Sequence, residues 1–252
     1  MIISPSLDRQ IEEKRTKIHT NPNFYLIRSQ RVKADLRNMC NLYSFWLENP
    51  NLRENILRLA CVTNPRKLRK LARKGVTQIK DAWNYLNSVG VKGNFVQELS
   101  PSVVQNTARL VNPIKNQGYR YVRVSLNLKY TPPNSVRVPE KVEELCHFIN
   151  HAKELSTVEL AALTHLRLTG IQPFPDGNKR TSRLIQDRIL GDYGLPPALI
   201  PAGERAVYID LLEQGLIGHR DGNIKLQRPF FDYIGGKVNT ALDEILDDLK
   251  VR

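Results

Sequence analysis

Over residues 29–49 apolar side chains recur at Val32, Leu36, Met39, Leu42, Tyr43, Trp46 and Leu47, close to the helical period, and Pro50 ends the run. The same periodicity predicts helices near 53–74, 76–88, 101–111 and 137–152, the last opening after Pro132, Pro133 and Pro139. Ser156-Thr-Val-Glu159 has the form of a capping box and opens an apolar helix through Leu168, which Gly170 is expected to stop. A loop over 171–178 leads to a helix at 179–190 that ends near Gly191 and Gly194. Further helices are expected at 203–216 and 229–249, with an Asp221-Gly222 turn between them.

Alternation with a period of two is strong only over 119–130, where Tyr, Val and Leu alternate with Arg, Ser, Asn and Lys. This predicts a short hairpin or edge strand in an otherwise helical protein. The fold class is therefore mainly α, read as one domain with an N-terminal helical elaboration.

Composition narrows the class. A chain of 252 residues, 41% hydrophobic and 25% charged, is long enough for a full core and too apolar to be largely disordered. No apolar run reaches membrane-spanning length, and the opening MIISPSLDRQIEEKR lacks the pattern of a signal peptide. The expectation is a soluble cytoplasmic protein without membrane attachment, with a bacterial protein or a secreted effector without a recognisable signal peptide as the alternative. Cys40, Cys61 and Cys146 are an odd set without C-x-x-C spacing and read as reduced core thiols.

The net charge of +13 is unevenly spread: residues 1–80 hold 17 Lys and Arg against 6 Asp and Glu. The densest stretch is Arg66, Lys67, Arg69, Lys70, Arg73 and Lys74, interleaved with Leu68, Leu71 and Ala72 at helical spacing. It reads as a solvated helix face; nucleic acid or an acidic partner is the alternative, weakened by the lack of stacking aromatics. His147 and His151 share a helical face but lack the glutamate of H-E-x-x-H and an obvious third ligand, which argues against zinc. His165 reads as a packed or capping histidine, and His19 and His219 have no clear constellation.

The chemistry concentrates in Q-P-F-P-D-G-N-K-R-T-S-R, residues 172–183. A glycine-bearing turn here opens a helix whose free N–H groups and dipole favour an anion, and Arg180 and Arg183 lie one turn apart with planar forks suited to phosphate. Asp176 supplies the hard oxygen that a phosphate-bound Mg²⁺ takes beside phosphate and water. Phe174 reads as an anchor that holds the loop down. The spacing differs from G-x-x-x-x-G-K-[ST], so this is not a P-loop.

The segment resembles the Fic (filamentation induced by cAMP) family, whose pattern is H-x-F-x-[D/E]-G-N-G-R-x-x-R in a loop between two helices. The likeness extends upstream through G-Y-R, Y-T-P-P, VPEKVEELCHFIN and LSTVELAALTHLRLTGI, and covers roughly residues 76–235. It implies a basic helical region at 1–75, a Fic core at 76–235 and a C-terminal helix at 236–252. It also implies AMP transfer from ATP to a protein hydroxyl, with Mg²⁺ on Asp176. Gly177 and Asn178 would line the α-phosphate site, Arg180 would hold the β- and γ-phosphates, and Arg183 would complete the γ-phosphate grip. Phe174 and Lys179 complete the ATP-binding set. Gly118, Tyr119, Arg120, Tyr121, Val122 and Arg123 would form a flap that registers a target protein by strand addition; a homodimer is compatible with the chain.

The sequence departs from the family pattern twice. Gln172 stands where the family has its histidine base, and a neutral amide cannot accept a proton near pH 7. Lys179 stands where many AMP-transferring members have glycine; the phosphorylating Doc branch has lysine there. AMP transfer ranks ahead of phosphorylation because Gly177 is retained. A catalytically inactive binding protein and a nucleic-acid-associated regulator are the rivals from other classes. Upstream, Ser44-Phe-Trp-Leu-Glu48-Asn49 matches the [S/T]-x-x-x-E-[G/N] pattern of an inhibitory helix, whose glutamate would compete with the γ-phosphate for Arg183.

Overall fold

The structure, a computed structural model, describes residues 2–21, 47–48, 65–89, 91–92, 95–96, 99–124 and 130–250, with backbone alone at 65–73, 91–92, 95–96, 248 and 250. Among them lie helices α1 (Pro5–Thr20), α2 (Pro65–Ser88), α3 (Pro101–Val111), α4 (Val138–His151), α5 (Thr157–Ile171), α6 (Asn178–Asp192), α7 (Arg205–Arg220) and α8 (Ile224–Lys250). A two-residue antiparallel pair, β1 (Val91–Lys92) with β2 (Phe95–Val96), sets Val91 opposite Val96. The class is mainly α, as expected. No helix of the described residues is long and apolar enough to cross a membrane.

The core is built around α5. This helix is buried on every side: residues from Val158 to Ile171 are buried with the exception of Arg167. Such a helix has no solvent face and must be surrounded; α4, α6, α7 and α8 pack against it. Its start is the capping box read from the sequence: Glu159 N donates to Ser156 Oγ at 3.3 Å, and Ser156 N donates to Glu159 Oε2 at 3.3 Å. Oε1 of the same buried glutamate accepts the amides of Ile2 and Ile3, which fastens the start of the described chain to the core. α1 then runs along α8, and Ser4 ties to Asp232 through its amide at 2.7 Å and its hydroxyl at 2.6 Å.

Several element limits differ from the sequence pattern for local reasons. α2 passes through Gly75 unbroken, since one helical glycine costs only about 1 kcal/mol and the face carrying Ile79, Ala82 and Leu86 is buried. α5 likewise runs past Gly170, where a side chain would meet Leu216 Cδ2 and Tyr130 Oη at 2.9 Å, so this glycine serves close packing and not termination. α8 starts before Pro229 because Asn223 Oδ1 accepts the amides of Lys225 and Leu226, and it runs on across residue 235 to Lys250. Most of the helices expected at 29–49 and 53–74 lies outside the described residues, with Cys40 and Cys61. Cys146 is buried.

The strand expected over 119–130 does not form in its described part. Residues 118–124 are irregular, and their burial runs opposite to the alternation: Arg120 is 2% exposed whereas Tyr121 is 88% exposed. The reason is the hydrogen bonding of Arg120. Its backbone N–H donates to Pro173 O at 2.8 Å, and its guanidinium donates to the carbonyls of Gln172, Val122, Pro133 and Ile171. Arg120 spends its backbone N–H and part of its guanidinium on the 171–173 stretch, which holds the segment against that loop in an irregular course. Arg120→Met should therefore destabilise the fold by about 2–4 kcal/mol, because it orphans several buried carbonyls; a lowered denaturation midpoint with an unchanged m-value checks it.

Candidate functional site

The loop between α5 and α6 is fixed from both ends. Gln172 caps α5 in the left-handed region at φ 48°, ψ 57°, and it is the one non-glycine among the described residues with positive φ. That conformation is disfavoured for a side chain with a Cβ, and Arg120 Nε holds its carbonyl at 2.6 Å. The Gln172 amide is engaged at both ends: Nε2 donates to Thr169 O at 2.8 Å, and Oε1 accepts from Asn178 Nδ2 at 3.0 Å. Phe174 is buried and stacked on Tyr119 with ring centroids 5.7 Å apart.

Asn178 closes the loop on itself. Its Oδ1 accepts Phe174 N at 2.9 Å, and its Nδ2 donates to Phe174 O at 2.8 Å. Its side chain is thus structural, and what it offers an anion is its backbone N–H. Gly177 takes φ 71° at the N-cap of α6, and a side chain there would come within 2.7 Å of Val111 Cγ1. No side chain caps this helix. The amides of Asn178, Lys179 and Arg180 donate to no acceptor among the described residues, while Thr181 N donates to Gly177 O.

Asp176 lies at the rim. Its Oδ2 accepts from Asn112 Nδ2 at 2.6 Å and from Arg180 Nη2 at 3.3 Å, and its Oδ1 accepts from Gly177 N at 2.7 Å. Burial pushes this carboxyl up, yet Arg180, Asn112 and the Gly177 amide together hold it below its ordinary value. It is ionised and only partly saturated, since two carboxylate oxygens offer about four acceptor sites. Buried Asn116 grips Asp176 from behind, through Asp176 O at 2.9 Å and Asp176 N at 3.2 Å. Sequence reasoning missed Asn112 and Asn116; the signal at hand was the Asn112-Pro113 pair just past the helix expected at 101–111.

A cation cluster marks the first turns of α6. Arg183, 5% exposed, donates from Nη1 to Glu48 Oε1 at 3.0 Å, and Lys179 Nζ lies 3.7 Å from Glu48 Oε2. Burial raises the Glu48 carboxyl, but Arg183 and Lys179 outweigh it and leave the pKa lowered. Arg180 Nε is buried and has no acceptor among the described residues. Glu48 and its neighbour Leu47 form the only described part of the upstream segment; Ser44 and Asn49 lie outside it. Arg205 Nε holds Leu47 O at 2.8 Å, a contact from α7 that the sequence did not announce.

Residues 96–190, which contain this whole loop, match the profile of the Fic/DOC family. This stretch of the chain is a Fic/DOC family domain. The Fic domain is 33% identical over 135 residues to "Protein adenylyltransferase Fic" of Drosophila virilis and, to the same degree, of Drosophila melanogaster. Each match covers 53% of this chain and 26% of the relative, so the chain spans about a quarter of the length of these curated relatives. In architecture it is similar to a Fic domain containing signaling protein from Bacteroides thetaiotaomicron (TM-score 0.78, 19% identity, 98% of this chain and 97% of the other). It is also similar to Fic-1 from C. elegans (TM-score 0.75, 20% identity, 97% and 72%).

The remaining candidates separate cleanly. Gly118, Tyr119, Arg120, Tyr121, Val122 and Arg123 lie against the loop through Arg120 and the Tyr119–Phe174 stack, with Tyr121 and Val122 exposed. His147 and His151 stack at 4.2 Å, and no group of three or more His, Cys, Asp or Glu among the described residues is arranged to hold a metal. The basic side chains at 66–73 lie outside the described residues.

Proposed function

We propose that this Fic domain binds ATP with Mg²⁺ at the start of α6 and transfers AMP to a hydroxyl of a target protein, that Glu48 inhibits it, and that Gln172 leaves it impaired. The observation that carries the reading is the carboxylate of Glu48 held by Arg183 and Lys179: the helix start already binds an anionic group. The orphaned Arg180 Nε and the unpartnered amides of 178–180 supply donors beyond those that Glu48 uses. The name of the Drosophila relatives supports the nucleotide.

In this reading the backbone amide of Asn178, beside Gly177, takes the α-phosphate, Arg180 the β- and γ-phosphates, and Arg183 the γ-phosphate once Glu48 has left. Asp176 would hold Mg²⁺, whose chemistry is to neutralise phosphate charge. The target hydroxyl forms a bond to the α-phosphorus, the bond to the bridging oxygen breaks, and pyrophosphate departs into the cations of α6. Donors fixed before the reaction stabilise the charge that develops. The hydroxyl proton needs an acceptor near Gln172, and an amide that already accepts from Asn178 and donates to Thr169 is none. Tyr121 and Val122, exposed beside the loop, suit contact with a target segment. The engaged Gln172 amide also favours a second reading, a nucleotide-binding member without transfer; transfer of label from α-labelled ATP, and none from γ-labelled ATP, distinguishes AMP transfer from this and from phosphorylation.

Asp176→Ala and Arg180→Ala, each introduced beside Glu48→Gly, should weaken ATP–Mg²⁺ binding about tenfold or more, the value of one charge-assisted contact. Melting should fall by less than about 5 °C, since neither side chain is in the apolar core. Calorimetry and thermal melting check it. Unchanged ATP affinity in both folded variants would remove the phosphate site from this loop.

A further inference from the structure

Beneath Arg183 lies a buried chain of polar side chains to which the reaction assigns no part. Arg183 Nη1 donates to Tyr208 Oη at 3.2 Å, and its Cζ lies 5.6 Å from the tyrosine ring centroid. Tyr208 Oη lies 2.9 Å from His165 Nε2, His165 Nδ1 lies 2.7 Å from Gln186 Oε1, and Gln186 Nε2 donates to Asp187 Oδ1 at 3.1 Å. Asp187 Oδ1 also accepts Ala198 N at 3.1 Å. Tyr208, His165 and Gln186 are fully buried.

The direction of every bond follows from the two ends. Arginine only donates, so Tyr208 accepts from it; at the other end the carboxylate of Asp187 takes the amide proton of Gln186, which turns Oε1 toward His165 Nδ1, and a neutral ring that donates there leaves Nε2 to accept from Tyr208. His165 is then neutral, with its proton on Nδ1 and given to Gln186 Oε1, and Gln186 passes its amide proton to the carboxylate. Burial holds the imidazole down to about 3, which agrees with a ring that never charges at working pH. Asp187 is pushed by burial up to about 7, and a proton on Oδ2 would leave Oδ1 free to accept.

We propose that Tyr208 is a positioning residue for Arg183, held by the His165–Gln186–Asp187 relay so that the guanidinium keeps its orientation when Glu48 gives way to the γ-phosphate. Nη1 carries two hydrogens, and it serves Glu48 and Tyr208 at 3.0 and 3.2 Å. When Glu48 leaves, the first is released and the second still fixes the plane. A buried guanidinium that lost that second bond would keep one fixed contact fewer, and the nucleotide would have to supply that part of its order, at a cost to affinity. The inference rests on the phosphate-site reading above and deepens it.

The test compares Glu48→Gly with the double variant Glu48→Gly, Tyr208→Phe, which keeps the ring and removes the hydroxyl. ATP affinity should fall at least about tenfold while AMP affinity stays within about twofold, because AMP has no γ-phosphate to meet Arg183. Equal losses for ATP and AMP would assign Tyr208 to the fold alone, and an unchanged ATP affinity would sink the positioning role; both overturn the proposal while the phosphate site survives. Failure of Glu48→Gly itself to bind ATP would overturn the phosphate site and the proposal together. ¹⁵N NMR of the unsubstituted chain tests the relay without nucleotide: His165 should be neutral with the proton on Nδ1, and a proton on Nε2 would overturn the bond directions.

Discussion

Gln172→His is expected to raise AMP transfer by at least about a hundredfold, the usual contribution of a general base and about 2.7 kcal/mol of barrier. The backbone at this position is already set: the left-handed cap of α5 is fixed by Arg120 on the carbonyl, independently of the side chain. An imidazole there replaces an amide that spends both its ends on Thr169 and Asn178. The neighbouring start of α6 carries Lys179, Arg180 and Arg183, and a cationic surrounding favours the neutral ring, the form able to take the hydroxyl proton. Transfer should therefore rise with pH through the imidazole titration and level off, whereas the Gln172 chain should show no such step. The measurement is incorporation of label from α-labelled ATP at saturating nucleotide, with Glu48→Gly present in both proteins. Equal rates for the glutamine and histidine forms would remove position 172 from proton transfer.

How far the sequence carried this picture depends on the range over which each residue acts. The capping box at Ser156 and Glu159 and the proline-opened helix at Pro101–Val111 are local devices, and periodicity with a cap predicts them directly. The turn at Gly177 and the helix start at Asn178 were legible for the same reason, since a turn that opens a helix is encoded within a few residues. Arg120 was misread because alternation assigns charges to the solvent face. Only the tertiary structure reveals one guanidinium donating to four carbonyls, among them those of Ile171 and Gln172, 51 and 52 residues away. Asn116, Arg205 and Tyr208 escaped notice likewise: their sequence surroundings are ordinary, and their roles arise when α3 and α7 meet the loop and Leu47. Glu48 is the intermediate case, where a short pattern supplied the candidate and long-range geometry supplied the partners.

Removing the Glu48 carboxylate is expected to strengthen ATP binding about ten- to hundredfold, or 1.4–2.7 kcal/mol, and in the Gln172→His background to increase AMP transfer in proportion. With the carboxylate in place, the competent state requires Arg183 and Lys179 to exchange a partner at 3.0 and 3.7 Å for the phosphate, and the apparent affinity is reduced by the fraction of chains so opened. Glu48→Gly removes that competitor. It also leaves a buried guanidinium with one anionic partner fewer, so the variant should melt earlier than the unsubstituted chain without nucleotide and recover more on adding ATP. AMP should bind both proteins alike, having no γ-phosphate to contest Arg183. Acid should not substitute for the mutation near neutrality. The Glu48 carboxyl lies below its ordinary value in the closed arrangement, so the pairing is fully present above that ordinary value and is lost only as pH falls through the lowered one. Glu48→Gln, which keeps an acceptor oxygen and loses the charge, should fall between the two. Equal ATP affinity with glutamate, glutamine and glycine at position 48 would reduce the Glu48–Arg183 contact to a structural ion pair and end its inhibitory role.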